Sequence, residues 1–299
     1  YNTHREFGSG DRICYHGMLD MFRNPKLAAA VYASQKTPRS PSDIVLEVSS
    51  GMALGDLPGG APTACWVFTN AESVRLYRGN DYIAAFSPDR HGRFAAMPHP
   101  PIEINDFVGS LLEKYEGMDT TSAQAAASIL NDMRRCAMEL SPLSKARMLS
   151  LRLSWNEVAR MYCKYIGILG SPSPVYRFEA VWHGRVVGTV VREPVQSVRL
   201  ECTVHNPILT DGPTWDCAAV SLRAIDQNGN LLPYCGEAVQ LRVDGPLKII
   251  GPSVVPLRGG MAGTYLATTG EAGRAVLHCR MEGALDTDAV LTIRSRENG

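Results

Sequence analysis

Alternating apolar and polar residues mark two hairpins that lie far apart in the chain. Residues 73–78 alternate in this way, Gly79-Asn80-Asp81 is a turn signal, and residues 82–86 return. Residues 175–191 repeat the arrangement around the turn His183-Gly184. The β pattern stops after the first hairpin and resumes at the second, so we predict that the strands around residues 64–86 and 175–191 belong to one sheet system.

The residues between these hairpins follow a helical period instead. Thr121-x-x-Gln124 and Ser154-x-x-Glu157 match the capping-box pattern that opens a helix. Asn105 or Asp106 is placed to cap an earlier helix. Apolar residues then recur at helical spacing, namely Ile129, Met133, Cys136 and Leu140. The pattern predicts a helical insertion at about residues 105–170 that interrupts the first sandwich.

Residues 196–299 return to the β pattern. Strands are predicted at 197–204 and 238–243, among others, and Asn228-Gly229 is a strong turn signal between them. Strands at intervals of roughly 8–12 residues with turns between them are typical of a sandwich. We therefore expect a mainly β fold, with one sandwich at residues 38–195 and a second at 196–299.

Residues 1–37 show a third pattern. Asn24 is suited to cap a helix and Pro25 to occupy its first position, where the missing N–H has no cost. The Ala-rich residues 26–33 then predict the helix itself, which ends before Pro38. The prolines and glycines that follow predict a domain boundary at about residue 38.

Composition and charge argue against several classes of partner and of fold. The 299 residues are 45% hydrophobic and 20% charged, with 30 basic and 30 acidic side chains. That balance argues against a nucleic-acid partner or an anionic membrane surface, and no apolar run reaches the length of a membrane helix. The eight cysteines have no zinc-site spacing and mostly apolar neighbours. This usage favours buried free thiols over a disulfide framework and predicts a cytoplasmic location.

The polar clusters predict neither an active site nor a metal site within this chain. The carboxylates of Glu103-x-x-Asp106, Asp286-x-Asp288 and Glu237 have the neighbours of ordinary surface groups. Gly259-Gly260-x-x-Gly263 lacks the Lys-Ser/Thr of a phosphate loop and predicts a close backbone crossing between strands. Asp226-x-Asn228-x-Asn230 lacks the glycine and glutamate of a calcium loop and predicts a turn.

Several motifs together resemble a known family. The N-terminal pattern consists of Gly17, Arg23, Pro25, Lys26, Ala28 and Ala29. It resembles the segment that closes the catalytic (β/α)8 (TIM) barrel of glycoside hydrolase family 2, which includes β-galactosidases, β-glucuronidases and β-mannosidases. The hairpins resemble the Ig-like sandwich that follows this barrel. Residues 226–233 and 257–265 resemble the terminal sandwich of some galactosidases of the family.

The resemblance implies a specific architecture. Residues 1–37 would be the last strand end and helix of the barrel, followed by two Ig-like β-sandwich domains at 38–195 and 196–299. Family members carry their two catalytic glutamates on earlier barrel strands, so we expect the chain to begin in mid-domain and to contain no catalytic residue. The apolar residues of the barrel segment are then expected to be mobile, to pack on a neighbour or to be completed by a separate chain.

The resemblance also places a substrate-binding segment, Cys14-Tyr15-His16, at the end of the eighth barrel strand. β-Glucuronidases carry Asn-x-Lys there to hold a sugar carboxylate, whereas Cys14 and His16 supply no fixed cation, which favours a neutral sugar such as galactose. In galactosidases of the family the residue before the glycine lies near the sugar 6-hydroxyl and a bound cation, and that residue maps to His16. A histidine that only packs in its loop is the alternative.

The predicted function is therefore that of a C-terminal fragment of a retaining hydrolase of terminal β-galactosides, inactive by itself. The fragment needs no cofactor, although a sodium or magnesium ion is compatible with the full-length parent. Its expected partners are a β-galactoside in the full-length enzyme and either a second copy of the chain or the rest of the barrel. The alternative is a carbohydrate-binding or scaffolding sandwich without enzymatic activity, for which Trp66, Trp182 and Trp215 are the candidate aromatic contacts.

Overall fold

The computed structural model describes residue 14 and residues 16–52, 64–136, 139–168 and 171–295. The chain divides into two compact units. One unit comprises residues 30–194, and the other combines residues 195–299 with the N-terminal segment up to Ala29. The fold is mainly β with a helical insertion, and its sheets are consistent with β-sandwich domains. None of the helices in the described residues is long and apolar enough to cross a membrane.

The unit of residues 30–194 contains two sheets and most of the helices. Its strands are β1 (Leu46–Val48), β2 (Trp66–Thr69), β3 (Ser73–Arg78), β4 (Asp81–Phe86), β5 (Ile102–Glu103), β6 (Tyr176–Trp182) and β7 (Arg185–Arg192). Its helices are α1 (Leu27–Ala33), which begins just before the unit, α2 (Leu111–Glu116), α3 (Thr120–Arg135), α4 (Pro142–Ser150) and α5 (Trp155–Tyr165), with a short 3₁₀ turn at Pro41–Asp43.

Strands from both predicted hairpins form one sheet. The four-stranded sheet has the order β4-β3-β6-β7, and β3 pairs antiparallel with β6 so that Leu76 lies opposite Phe178. A three-stranded sheet has the order β1-β2-β5. The helices that separate the hairpins in sequence share one hydrophobic core with these sheets, in which Leu130 and Tyr162 are fully or almost fully buried. The predicted association of strands across the insertion is therefore confirmed for β3, β4, β6 and β7, whereas β2 belongs to the other sheet of the unit.

The predicted starts of α2 and α3, and the predicted end of α3, need correction. Asp106 does not open α2, because its carboxylate accepts hydrogen bonds from Val108 N (2.9 Å) and Gly109 N (3.0 Å) and holds a turn ahead of the helix. Helix α3 is capped by Asp119 rather than by Thr121. Cys136 lies just beyond its end and is exposed.

The capping box of Ser154 and Glu157 is present at the start of α5, as predicted. In this box the Ser154 hydroxyl accepts from the Glu157 N–H, and the Glu157 carboxylate accepts from the Ser154 N–H at 2.7 Å. The reciprocal pair satisfies two N–H groups that the first turn of a helix leaves without an intrahelical partner.

The other unit is built on two five-stranded sheets. Its strands are β8 (Val198–Val204), β9 (Ile208–Asp211), β10 (Cys217–Ile225), β11 (Ala238–Asp244), β12 (Leu247–Ile250), β13 (Val254–Pro256), β14 (Met261–Thr268), β15 (Gly273–Met281), β16 (Ala284–Leu285) and β17 (Thr287–Ser295). The sheet orders are β12-β14-β10-β8-β16 and β13-β11-β15-β17-β9. Inward residues from both sheets, such as Leu222 and Leu277, form the core.

The predicted turn chemistry of this unit is confirmed. The buried Asp226 carboxylate accepts from Asn228 N and Asn230 N, both at 2.8 Å, and Gly229 has φ +81°. Gly260 also has positive φ, and a Cβ there would collide with the Leu232 carbonyl oxygen. The glycine-rich stretch is therefore a close backbone approach, as its sequence predicts.

The cysteines are less uniform than the sequence predicts. Cys14, Cys65 and Cys279 are buried, whereas Cys136, Cys163 and Cys217 are exposed. The exposed thiols lie at a helix end, on an outward helix face and at the start of a strand, where apolar neighbours in sequence do not bury the side chain.

Candidate functional site at the N-terminal segment

Two of the three predicted substrate-binding residues belong to the described part of the chain. Cys14 is fully buried and His16 is exposed, whereas Tyr15 lies outside the described residues. The carbonyl oxygens of both described residues accept hydrogen bonds from the same ammonium group, Lys26 Nζ, at 2.6 Å and 2.8 Å. The Lys26 ammonium therefore fixes the backbone on both sides of position 15.

Lys26 is a buried cation with its positive end on backbone oxygens. The side chain is only 4% exposed. Burial lowers the pKa of Lys26, and the nearby Cys14 and Asp20 act in the opposite direction. Two short charge-assisted hydrogen bonds offset part of the cost of removing the ammonium from water. The sequence pattern placed Lys26 only at the start of a helix, so its role in positioning residues 14–16 is a finding of the structure.

The loop between the segment and the helix is closed by Asp20. Its buried carboxylate accepts from Phe22 N and Asn24 N at 2.8 Å and from the Asn24 side-chain amide at 2.9 Å. The loop also places Arg23 at φ +67°, a conformation that few residues other than glycine adopt. Lys26 N donates to Met18 O at 2.9 Å, which closes the base of the loop.

These contacts correct the predicted helix start. The Asn24 amide donates to Asp20 and to the Ala262 carbonyl at 2.9 Å, so it fixes the loop instead of capping the helix. The helix α1 begins at Leu27, two residues after Pro25, and Lys26 N donates to Met18 O outside it.

The loop also packs on strand β14. The Phe22 and Tyr265 ring centroids lie 6.1 Å apart, and a Cβ on Gly263 would collide with the Phe22 ring. Gly263 belongs to the glycine-rich stretch, whose third glycine thus leaves room for an aromatic ring from the N-terminal segment. Sequence spacing could not reveal this pairing, because the partners are separated by most of the chain.

The site is a loop whose backbone is fixed by hydrogen bonds and whose His16 side chain is exposed. The exposed His16 imidazole is held next to a fixed backbone. Two of the carboxylates considered in the sequence serve other contacts: Asp106 accepts from backbone N–H groups and Asp286 pairs with Arg280 at 3.0 Å. The described residues contain no group of three or more His, Cys, Asp or Glu side chains that could hold a metal ion.

Comparisons with known proteins show what this arrangement is similar to. The chain is 29% identical over 263 residues to a β-galactosidase of Thermoanaerobacterium thermosulfurigenes and 28% identical over 281 residues to a β-galactosidase of Thermoanaerobacter pseudethanolicus. These alignments cover 87% and 94% of this chain. A solved glycosyl hydrolase family 2 member from Bacteroides cellulosilyticus matches 93% of the chain with a TM-score of 0.53.

The chain is related to a part of the glycoside hydrolase family 2 β-galactosidases. It spans about three-tenths of the length of these relatives, 29% and 30% for the two β-galactosidases and 32% for the solved structure. A β-glucuronidase of glycoside hydrolase family 2 has the same fold over 97% of this chain, with 13% identity and a TM-score of 0.54. No family model matches the chain. The family resemblance seen in the sequence motifs is thereby confirmed.

Proposed function

We propose that the chain is the C-terminal part of a retaining glycosidase that acts on terminal β-galactosides. The observation that supports this most is the similarity to β-galactosidases along 87–94% of the chain. In this proposal residues 1–37 complete a (β/α)8 barrel, and the units that follow are Ig-like accessory sandwiches. We also propose a cytoplasmic location, on the basis of cysteine usage.

In the proposed mechanism, the reaction itself uses groups that this chain does not provide. Retention requires two carboxyl groups, a nucleophile and an acid/base, about 5–5.5 Å apart on either side of the glycosidic bond. Both would come from earlier barrel strands. This chain would supply the wall of the sugar site: Lys26 holds the backbone of residues 14–16, and the exposed His16 imidazole then donates to, or accepts from, a sugar hydroxyl.

The engagement of Lys26 supports a galactoside over a uronide. Its ammonium binds the carbonyl oxygens of Cys14 and His16, and the side chain is buried. A sugar carboxylate would need an accessible cation with donors of its own. The ammonium already occupies the carbonyl oxygens of both described residues of the segment, so these two residues do not by themselves form a site for a sodium or magnesium ion.

The alternative, a sandwich module without activity, is supported less well. A carbohydrate-binding face would carry its aromatic residues in one row. Trp66 lies in β2 and Trp182 in β6, which belong to different sheets, and the exposed Trp215 lies in the loop before β10. No single face therefore carries all three tryptophans.

Replacement of His16 tests the proposed role of the segment. In the protein that contains both this chain and the upstream barrel, His16→Ala is expected to reduce kcat/KM for a nitrophenyl β-galactoside by about tenfold to a hundredfold, the range for one or two lost hydrogen bonds. The exposed His91 provides a matched His→Ala control that is expected to leave kcat/KM unchanged. Equal kcat/KM for His16→Ala and the parent would contradict the proposal, provided that both melt at the same temperature.

A further inference from the structure

A cleft of about 520 Å³ opens in the unit of residues 30–194, beside the ends of β2, β4 and β5. Its volume lies within the range of about 300–1,000 Å³ that is usual for small-molecule sites. The side chains that matter for its chemistry are Trp66, Phe86, Asp89, Arg93, Phe94 and Glu103. None of them takes part in the site at residues 14–26.

One wall of the cleft is aromatic and fixed in place. Trp66 and Phe94 pack edge to face, with ring centroids 5.7 Å apart and an interplanar angle of 87°. Trp66 is further fixed by its backbone, because its N–H donates to Ser49 Oγ at 2.9 Å and its strand pairs with β1 and β5. The buried Phe86 and Pro100 also line the cleft. A ligand would thus meet apolar surface that is already ordered.

Two carboxylates flank this aromatic wall. Glu103 lies directly opposite Trp66 in the antiparallel β2–β5 pair, so the two side chains are on the same face of the sheet. Asp89 is oriented by its own loop, since its carboxylate accepts from His91 N at 2.9 Å. A Cβ on Gly92 would collide with that carboxylate, so glycine at this position leaves room for it.

Two side chains with hydrogen-bond donors also line the cleft. Arg93 places its guanidinium 5.3 Å from the centre of the Phe94 ring, and the Asn105 amide is exposed at the rim. Within the described part of the chain the Glu103 carboxylate and the Asn105 amide make no hydrogen bond to protein. These groups are therefore available to a ligand without loss of an existing contact.

This combination matches the chemistry of a neutral sugar. A pyranose has C–H groups on a face that packs against an aromatic ring, and neighbouring hydroxyls that hydrogen-bond to carboxylates and amides. Two carboxylates against one guanidinium give the lining a net negative charge, which disfavours uronic acids and sulfated sugars. We propose that this cleft is a binding site for a neutral saccharide.

The test is a titration of the 299-residue chain with methyl β-galactoside, followed by tryptophan fluorescence and calorimetry. We expect saturable binding in the millimolar range, and binding at least tenfold weaker for galacturonate. Glu103→Gln is expected to weaken binding of the neutral sugar about tenfold. Glu271→Gln, an exposed carboxylate in the other unit, is the matched control and should bind like the parent.

The outcomes are distinguishable from those of the galactosidase proposal, because binding in this cleft needs neither the barrel nor turnover. Phe94→Ala tests the aromatic wall, and Glu103→Gln still tests the site if that variant fails to fold, since Glu103 is exposed. Absence of saturable binding would overturn the proposal. So would equal affinities of the Glu103→Gln and Glu271→Gln variants, or galacturonate binding as tightly as the neutral sugar.

Discussion

The two compact units place their close packing and their polar links in different parts of the fold. In the unit of residues 195–299 the core lies between two five-stranded sheets, and strands such as β11 and β15 alternate inward apolar and outward polar residues. In the unit of residues 30–194, buried polar side chains tie distant segments together as well. Asn70 accepts from Val45 N at 2.8 Å and donates to Lys36 O and Asp43 O. The comparison shows that both units combine close packing with single polar links, because Asn24 joins the N-terminal loop to Ala262 O in the other unit much as Asn70 joins distant segments here.

Close packing is tested most strongly at Gly263. Alanine there would place its Cβ in the Phe22 ring, and we expect Gly263→Ala to lower the free energy of unfolding by about 1–3 kcal/mol, as overpacking does. Gly236→Ala is the matched control, because a Cβ at that position meets nothing within 4 Å. Urea unfolding measures the free energy of unfolding of both variants.

A double-mutant cycle sharpens this prediction. Phe22→Ala removes the ring that a Cβ at position 263 would meet, so the cost of Gly263→Ala is expected to fall to less than half in the Phe22→Ala background. Costs that simply add would show that the N-terminal loop does not pack on β14 in solution.

The polar links are tested at Asn131. Its amide donates to the Asp106 carboxylate at 2.7 Å and its carbonyl accepts from Phe107 N at 3.1 Å, which joins α3 to the turn before α2. Asn131→Ala leaves a buried N–H without its acceptor and is expected to cost about 1–3 kcal/mol in unfolding free energy. The exposed Asn156, on α5, provides the control, for which we expect a change within about 0.5 kcal/mol. Equal effects at both positions would refute the importance of this link.

A smaller effect is expected from acid. Glu116 accepts from Arg160, Lys164 and Tyr165 at 2.7 Å each, and these hydrogen bonds lower the pKa of Glu116 from 4.5 to about 2. A carboxyl whose pKa is lower in the folded state stabilises the fold above its unfolded pKa. The stabilisation is therefore lost as the pH falls from about 4.5 to about 2.

The variant Glu116→Gln isolates this contribution. The difference in melting temperature between the parent and the variant is expected to shrink across that pH window. It is expected to be modest at neutral pH, because the cations are solvent-exposed. A difference that stays constant between pH 5 and pH 2 would show that Glu116 has an ordinary pKa in the folded protein.

The sequence was most informative where a side chain's partners are near in the chain or follow a period. Alternation predicted the strands of the 195–299 unit, and the local sequence predicted the turn at Asp226 and the capping box at Ser154. It also predicted that strands from 73–86 and 175–191 lie together, because a β pattern that stops and resumes has unpaired edges on both sides of the interruption. The Ig-like assignment and the barrel segment stay predictions.

The site was less predictable from sequence. The motif match selected residues 14–16, but it gave no reason for Lys26 to bind their carbonyl oxygens or for Asn24 to donate to Ala262. Both contacts depend on the path of a loop in which Arg23 adopts positive φ. The cleft at Trp66 and Phe94 was also missed, because its aromatic and acidic residues come from separate segments that only the fold brings together.

The most direct test of the account is the hydrolysis of a nitrophenyl β-galactoside by two purified proteins, the 299-residue chain and the same chain joined to its upstream barrel. The account predicts turnover by the joined protein and none by the chain alone, because the two carboxyl groups that retention requires would both come from the barrel. Robust turnover by the chain alone, or an inactive but folded joined protein, would contradict it.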